Sequence, residues 1–324
     1  MTVAESDRDS PGRWLARAAL LASLLVIAVS FLGPYLPVAD IASNFIGHAI
    51  GVAIAALLAL YARGREILVL LFGAVATYGA HGLAARLAET PMVLVDQQAA
   101  AIAGQPLKIV SLNTWHKNKT PSQITDLLLH EDPDVAVLVE FGPDKADVLR
   151  QLAARYPYQL NCSGEWSCSI ALLSRFPIVH FTEGWRRIDH GSPRISADID
   201  IGGRIVTVIA AHPLNPTDGA WQAMTEMEGL ARLAREAAAK HPVIIAGDFN
   251  ATPWSYAFRA FSRESGLTHM GPFIPSFPAG PKGMPQLAID HMFGSREIVF
   301  RSVRLGPDTG SDHRPLIAEV TVTP

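Results

Sequence analysis

The chain opens on three long apolar runs and changes character at about residue 90. Trp14 to about Leu36 is apolar except for Arg17, and Phe45 to about Tyr61 is rich in Ala, Ile and Leu. Ile67 to about Leu83 is a third run, broken mainly by His81. A bilayer-crossing helix needs about 20 mostly apolar residues, in a range of about 17–25. The first run meets that length and the other two lie at its short end. The pattern predicts three transmembrane helices, and three closely spaced runs do not read as one cleaved signal peptide.

After residue 105 the apolar runs shorten and alternate with polar turns. Leu107 to Leu112, Asp134 to Val139, Ile170 to Leu173, Val243 to Ala246, Ile289 to Phe293 and Leu316 to Val322 read as strands. Ile195 to Ile201 and Arg204 to Ala210 flank Gly202-Gly203, a two-residue hairpin signal. Helices are expected from Pro121 to about His130, behind Thr120 as N-cap, from Asp144 to Arg155, and from Ala220 to Lys240. Antiparallel hairpins mixed with helices argue an α+β domain, most simply two packed sheets with helices outside. The expected organisation is a membrane unit over residues 1–89, a connector over 90–105 and a globular domain over 106–324, a size one domain can manage.

Charge gives the membrane unit a direction. Arg8, Arg13 and Arg17 precede or open the first run, and Arg63 and Arg65 join the second to the third. The connection from Gly33 to Asn44 has no Lys or Arg and contains Asp40. The positive-inside rule puts the N-terminus and the Arg63 loop in the cytoplasm, so three crossings leave everything after about Glu89 outside. The expected location is the inner (cytoplasmic) membrane, multi-pass, with the globular domain on the periplasmic or extracytoplasmic side. Cys162 and Cys168, the only cysteines, permit a small disulfide loop in an oxidising compartment, which agrees with export. Net charge is −3, from 27 basic and 30 acidic residues, and no basic stripe stands out after residue 105. That balance counts against a tight duplex partner.

The chemistry lies at the ends of the apolar runs. Val243-Ile244-Ile245-Ala246-Gly247 leads into Asp248-Phe249-Asn250. Alternate residues of extended chain point the same way, so Asp248 and Asn250 can face one site while Phe249 turns into the core. Ile109-Val110-Ser111-Leu112 delivers Asn113, Val135 to Val139 delivers Glu140, and Val206 to Ala211 delivers His212. Ile289 precedes Asp290 and His291, and Gly310-Ser311 leads to Asp312 and His313. Turn formation has no need of His or Glu, so six such sites point to shared chemistry. Glu140 after five apolar residues needs either an Arg partner or a hard metal ion. Mg²⁺ takes few protein oxygens, and Asn113, Glu140 and Asp312 can supply them. His291 lies on the face opposite Asp290 and reads as a structural histidine. Arg194 reads equally as a phosphate contact or a surface ion-pair partner, and His116, just past the Asn113 motif, reads by default as a surface-loop residue and alternatively as lining the cleft.

Ser111-Leu112-Asn113-Thr114-Trp115, Asp134 to Glu140, Gly247-Asp248-Phe249-Asn250, Ile289-Asp290-His291 and Ser311-Asp312-His313-Arg314-Pro315-Leu316 together resemble the endonuclease/exonuclease/phosphatase superfamily. The resemblance covers about Leu107 to Val322, with the motifs in the expected order, and leaves the membrane unit outside. It implies a four-layered α/β-sandwich, two mixed sheets flanked by helices. It also implies that Asn113, Glu140 and Asp312 hold Mg²⁺ or Mn²⁺. Asp248 would activate water, Asn250 steady the phosphoryl group, His313 contact the phosphate, His212 act beside it, and Asp290 orient a histidine.

The leading expectation is therefore a membrane-anchored, metal-dependent phosphodiesterase or nuclease-like hydrolase. Its substrate is a phosphate ester: nucleic acid, a phospholipid head group or a small molecule, with no obligate protein partner. The alternatives are a sphingomyelinase-like phospholipid phosphodiesterase and a non-catalytic membrane-tethered binding module.

Overall fold

A computed structural model describes residues 10–62, 65–87, 92–93, 103–162, 168–186, 191–279 and 286–324. The N-terminal unit is a bundle of helices: α1 (Pro11–Ser30), the short α2 (Pro37–Asp40), α3 (Ile46–Tyr61) and α4 (Glu66–Leu87). Ser10 caps α1 by accepting from Arg13 N, and Pro11 sits at its first position, where a missing N–H costs nothing. Two helical stretches are long and apolar enough to span a bilayer, Pro11–Ser30 and the near-continuous Pro37–Tyr61. The expectation of three needs correcting. Among the described side chains the third apolar stretch is Glu66–Thr77, part of the longer helix α4, and it does not qualify as a span over those residues. The Arg63 loop and most of the 90–105 connector lie outside the described residues.

The globular part is two stacked sheets with helices on both outer faces. Its strands are β1 (Met92–Val93), β2 (Gln105–Asn113), β3 (Val135–Val139), β4 (Tyr158–Asn161), β5 (Ile170–Ser174), β6 (Ile178–Gly184), β7 (Arg194–Ile201), β8 (Arg204–Ala211), β9 (Val243–Asp248), β10 (Thr268–His269), β11 (Asp290–Gly294), β12 (Ile298–Leu305) and β13 (Leu316–Val322). One sheet runs β1-β12-β13-β2-β3-β5-β4 and the other β10-β11-β9-β8-β7-β6. Each has one central parallel pair, β2 with β3 and β8 with β9, among antiparallel neighbours. Helices α5 (Ser122–Glu131) and α6 (Ala146–Leu152) cover the first sheet, and α7 (Pro216–Ala238) and α8 (Tyr256–Ser265) the second. The Gly202-Gly203 turn is as expected: both glycines have positive φ, and Ile201 pairs with Arg204.

Strand parity sorts the side chains into layers. Leu107, Ile109, Val135, Val137, Val206, Val208, Ala210, Ile244, Ala246 and Met292 face the space between the sheets and form its core. Their alternates Val110, Leu112 and Leu138 pack under α5 and α6, and Ile209, Ile245 and Phe293 under the second sheet's helices. Carried to the last residues of β2 and β9 and one step past β8, this parity aims Asn113, Asp248 and His212 into the gap between the sheets, at one end of both.

At that end the sheets tolerate no extra bulk. Gly247 pairs with Ala211 across the parallel ladder and has φ of 150°, and a Cβ there would collide with the Ala211 carbonyl. Gly247→Ala is expected to cost about 3 kcal/mol or more, by strain and lost ladder geometry. A thermal melt of the detergent-solubilised chain would read this, and an unshifted midpoint would contradict it.

Candidate active site

All eight residues singled out as chemical meet at the shared end of the sheets. Asp248 is the hub. It is 2% exposed, and its Oδ2 accepts from Asn113 Nδ2 at 3.1 Å and lies 3.7 Å from both His212 Nε2 and His313 Nε2. Its Oδ1 accepts from Asn250 N at 2.8 Å, so the residue closing the turn also fixes the carboxylate's rotation. Asn250 Nδ2 lies 3.4 Å from His212 Nε2 and donates to the Pro213 carbonyl at 3.1 Å.

Glu140 arrives by a different device. Val135, Val137 and Val139 face the inter-sheet core, so in extended chain Glu140 would point outward. A left-handed backbone at Glu140, φ 51°, re-aims it. Asn250 shares that conformation at φ 51°, as does Trp115 at φ 55°. Such conformations are uncommon outside glycine and concentrate at functional sites. Glu140 Oε1 then accepts from Asn113 Nδ2 at 3.0 Å, and Oε2 from the His116 backbone N–H at 2.9 Å. His116 Nδ1 lies 2.8 Å from the same Oε2. His116 is exposed, as a surface-loop residue should be, and it also holds the cleft carboxylate. Its place directly after Trp115 carries no local signal for this.

On the far side, Asp290 Oδ2 lies 2.7 Å from His313 Nδ1 and accepts from Ser276 Oγ at 2.5 Å. Ser311 Oγ donates to the Asn113 carbonyl at 2.6 Å and accepts from His313 N at 3.1 Å, tying this turn to the end of β2. Neither serine is evident from the sequence. His291 turns away, packing within ring-contact distance of Phe249, Phe258 and Phe293, with its Nε2 2.9 Å from the Ala251 carbonyl. Arg194 donates to the Ser192 carbonyl. A cation the sequence reading passed over, Arg186, pairs with the fully buried Glu226 and donates to the His212 carbonyl at 3.1 Å. Glu226 also accepts from Leu214 N, so this pair anchors the segment following His212.

The electrostatics separate the groups into roles. Burial pushes the Asp248 carboxyl up to about 7. Burial opposes charge on His313, but Asp290 and Asp248 on either side hold its imidazolium up to about 10. Burial lowers His212 to about 4 and so keeps it neutral. Burial would also raise Glu140, yet His212 and the hydrogen bonds from Asn113 and His116 bring it down to about 2. Asp312 is raised, chiefly by burial.

Ligand-capable atoms of Asp248, Asp290 and His313 lie within 4.8 Å of one another. Within this group His313 lies 2.7 Å from Asp290 and 3.7 Å from Asp248, a line along which a proton can also pass. A cation suits the other side. Glu140 is ionised and faces the cleft, and Asp312 Oδ1 is buried without a hydrogen-bond partner among the described residues. Asn113 turns its amide NH₂ to the carboxylates, and its Oδ1 takes the Trp115 N–H while keeping a second lone pair. Hard oxygen donors of this kind fit Mg²⁺ or Mn²⁺.

No curated protein matches the chain by sequence. Among solved structures, the 3′ phosphatase NExo from Neisseria, bound to a product DNA hairpin, is 21% identical with a TM-score of 0.53, over 66% of this chain and 99% of that one. TDP2 from D. rerio, complexed with single-strand DNA product, is 15% identical with a TM-score of 0.56, over 67% and 99%. A beta toxin variant from Staphylococcus aureus with bound magnesium ions is 17% identical with a TM-score of 0.51, over 65% and 98%. These likenesses show the fold. The model of the endonuclease/exonuclease/phosphatase family matches residues 110–313, well over half the chain and from β2 to His313. The protein therefore belongs to the endonuclease/exonuclease/phosphatase family and is a phosphoester hydrolase.

Proposed function

We propose that this chain is a membrane-anchored, divalent-metal-dependent phosphodiesterase whose Asp248 activates water for in-line attack at phosphorus. The observation that carries the reading is Asp248 itself. It is a buried carboxyl near neutrality, hydrogen-bonded by Asn113 and Asn250 and flanked by a neutral and a charged histidine. A base poised near the working pH accepts a proton best. His313, kept charged by Asp290, stabilises negative charge building on the phosphoryl oxygens, and Asn250 steadies that group. His212 donates a hydrogen bond beside it. Glu140, Asn113 and Asp312 would hold Mg²⁺ or Mn²⁺, which when bound neutralises phosphate and leaving-group charge.

Contacts support one side of the membrane over the other. Asp40 and Asn44, in the connection poor in positive charge, hydrogen-bond to the catalytic domain. The domain thus packs at the end of α1 opposite Arg13 and Arg17, and an extracytoplasmic location requires that the 22-residue α4 carry the chain back across. Cys162 and Cys168 are joined in a disulfide, consistent with an oxidising compartment. A membrane phospholipid as substrate is favoured by exposed aromatics on both sides of this junction. Trp221 stands on α7 next to Ala220, and Trp254 lies edge-on to Phe273 beside Asn44 and His48. Such rings favour the headgroup level. The net charge of −3 gives a nucleic-acid substrate less support.

The test is the detergent-solubilised full chain on bis-p-nitrophenyl phosphate, plasmid DNA and mixed phosphatidylcholine–sphingomyelin vesicles, with Mg²⁺, Mn²⁺ or EDTA. Metal-dependent turnover is expected, greatest on the vesicles. Turnover of none of the three would favour a binding module, and turnover of DNA alone would overturn the lipid preference.

A further inference from the structure

We propose that the membrane unit completes the active site: Asp40 and Asn44 are positioning residues for the loop that carries Asn250. This rests on the phosphodiesterase reading above. The loop leaves β9 at Asp248, passes through Asn250 and enters α8 at Tyr256. The first N–H groups of a helix have no partner inside it. In α8 the Ser255 side chain accepts from Phe258 N at 3.1 Å, which leaves Tyr256 N and Ala257 N. Both donate to Asp40, at 2.6 and 2.9 Å, across more than two hundred residues of chain. Asn44 Oδ1 accepts from Thr252 N at 3.0 Å, two residues past Asn250.

Asp40 is itself held for this task. It is 6% exposed, Ser43 Oγ donates to its Oδ1 at 2.9 Å, and Gly33 approaches so closely that a Cβ there would meet that oxygen at 2.8 Å. Among the described residues of the catalytic domain, Asn250 is held by Asp248, Pro213 and His212, in a left-handed conformation that needs support from its surroundings. Pro37, Asp40 and Asn44 also line a small cavity together with Leu214, Phe249 and Asn250, so the membrane unit packs directly against the back of this loop. The loop is thus gripped at one end by the catalytic sheet and at the other by the membrane helices. A loop released at one end misplaces Asn250, and a displacement of about 1 Å can cost about 10²-fold in rate.

The experiment uses the full chain in detergent with Mg²⁺ and bis-p-nitrophenyl phosphate, comparing wild type with Asp40→Ala, Asp40→Asn and Asn44→Ala. Amide hydrogen exchange is measured in parallel. Asp40→Ala is expected to lower kcat roughly tenfold or more with little change in KM, and to speed exchange at Tyr256 and Ala257 but not in β2 or β9. Asp40→Asn keeps one acceptor oxygen and should recover part of both effects. In an Asn250→Ala background, Asp40→Ala should cost little more, because the residue it positions is gone. Unchanged exchange at Tyr256 and Ala257, or equal losses of kcat in both backgrounds, would overturn the proposal. If wild type hydrolyses nothing, the phosphodiesterase reading fails, and with it the catalytic part of this one. The exchange result then still decides whether the clamp exists.

Discussion

Asp248→Asn is expected to lower kcat by about 10³-fold while leaving the fold intact. The substitution keeps shape and keeps an oxygen where Oδ1 accepts from Asn250 N, so the turn survives. It removes the group that takes a proton from water. It also leaves the His313 imidazolium with one carboxylate instead of two, which weakens the relay through Asp290. The pH profile gives a second reading. A carboxyl held up to about 7 by burial is partly protonated at neutrality and cannot accept a proton in that form. A cation nearby lowers that value, so wild-type kcat/KM should rise with pH along a limb centred at or below 7 and then level. The variant should lack that limb. Turnover across pH 5–9, with a thermal melt as the folding control, decides the matter; retention of a tenth of wild-type activity would remove Asp248 from its role.

Glu140→Gln is the second large effect, about 10²–10³-fold in turnover, with the Mg²⁺ concentration for half-activity raised. Glutamine fits the space and retains an oxygen for the His116 N–H, but carries no charge. The loss should therefore appear as weakened metal dependence. Glu140 is the best-ionised carboxylate of the cleft, held low by His212, Asn113 and His116 against the opposing effect of burial. Asp312→Asn should cost less, because burial raises that carboxyl. A Mg²⁺ titration separates the two variants. An unshifted Mg²⁺ dependence in Glu140→Gln would assign the cation elsewhere, with the Asp248, Asp290 and His313 group the next candidate.

Much of this site was legible because strand parity is a local property. Asp248 and Asn250 were expected on one face with Phe249 in the core, and Phe249 packs there against Phe261 and Phe293. His291 was separated from Asp290 by the same argument, and it lies among those rings. Edge strands were harder. β6 was not expected, since most of its residues are exposed and its outer side has no sheet partner to demand an apolar alternation. β12 was missed because Arg301 and Arg304 interrupt its apolar positions. Arg304 is nonetheless paired, with Glu131 on α5.

The sequence by itself determined the inward and outward faces of the central strands and the set of acids, amides and histidines at their ends. These depend on side-chain period and chain order, which are written locally. Only the tertiary structure decided which of those groups touch. Asn113 meets Asp248 across 135 residues, and a left-handed turn at Glu140 brings in a carboxylate that strand parity alone would send outward. His116, Ser276 and Arg186 are recruited from loops with no pattern of their own. Most distant of all is Asp40, read from sequence only as a charge in a short connection, which caps a helix of the catalytic domain 216 residues later. Hydrogen bonds of that separation exist only once both sheets and the helical unit have packed, because packing is what brings their partners within 3 Å.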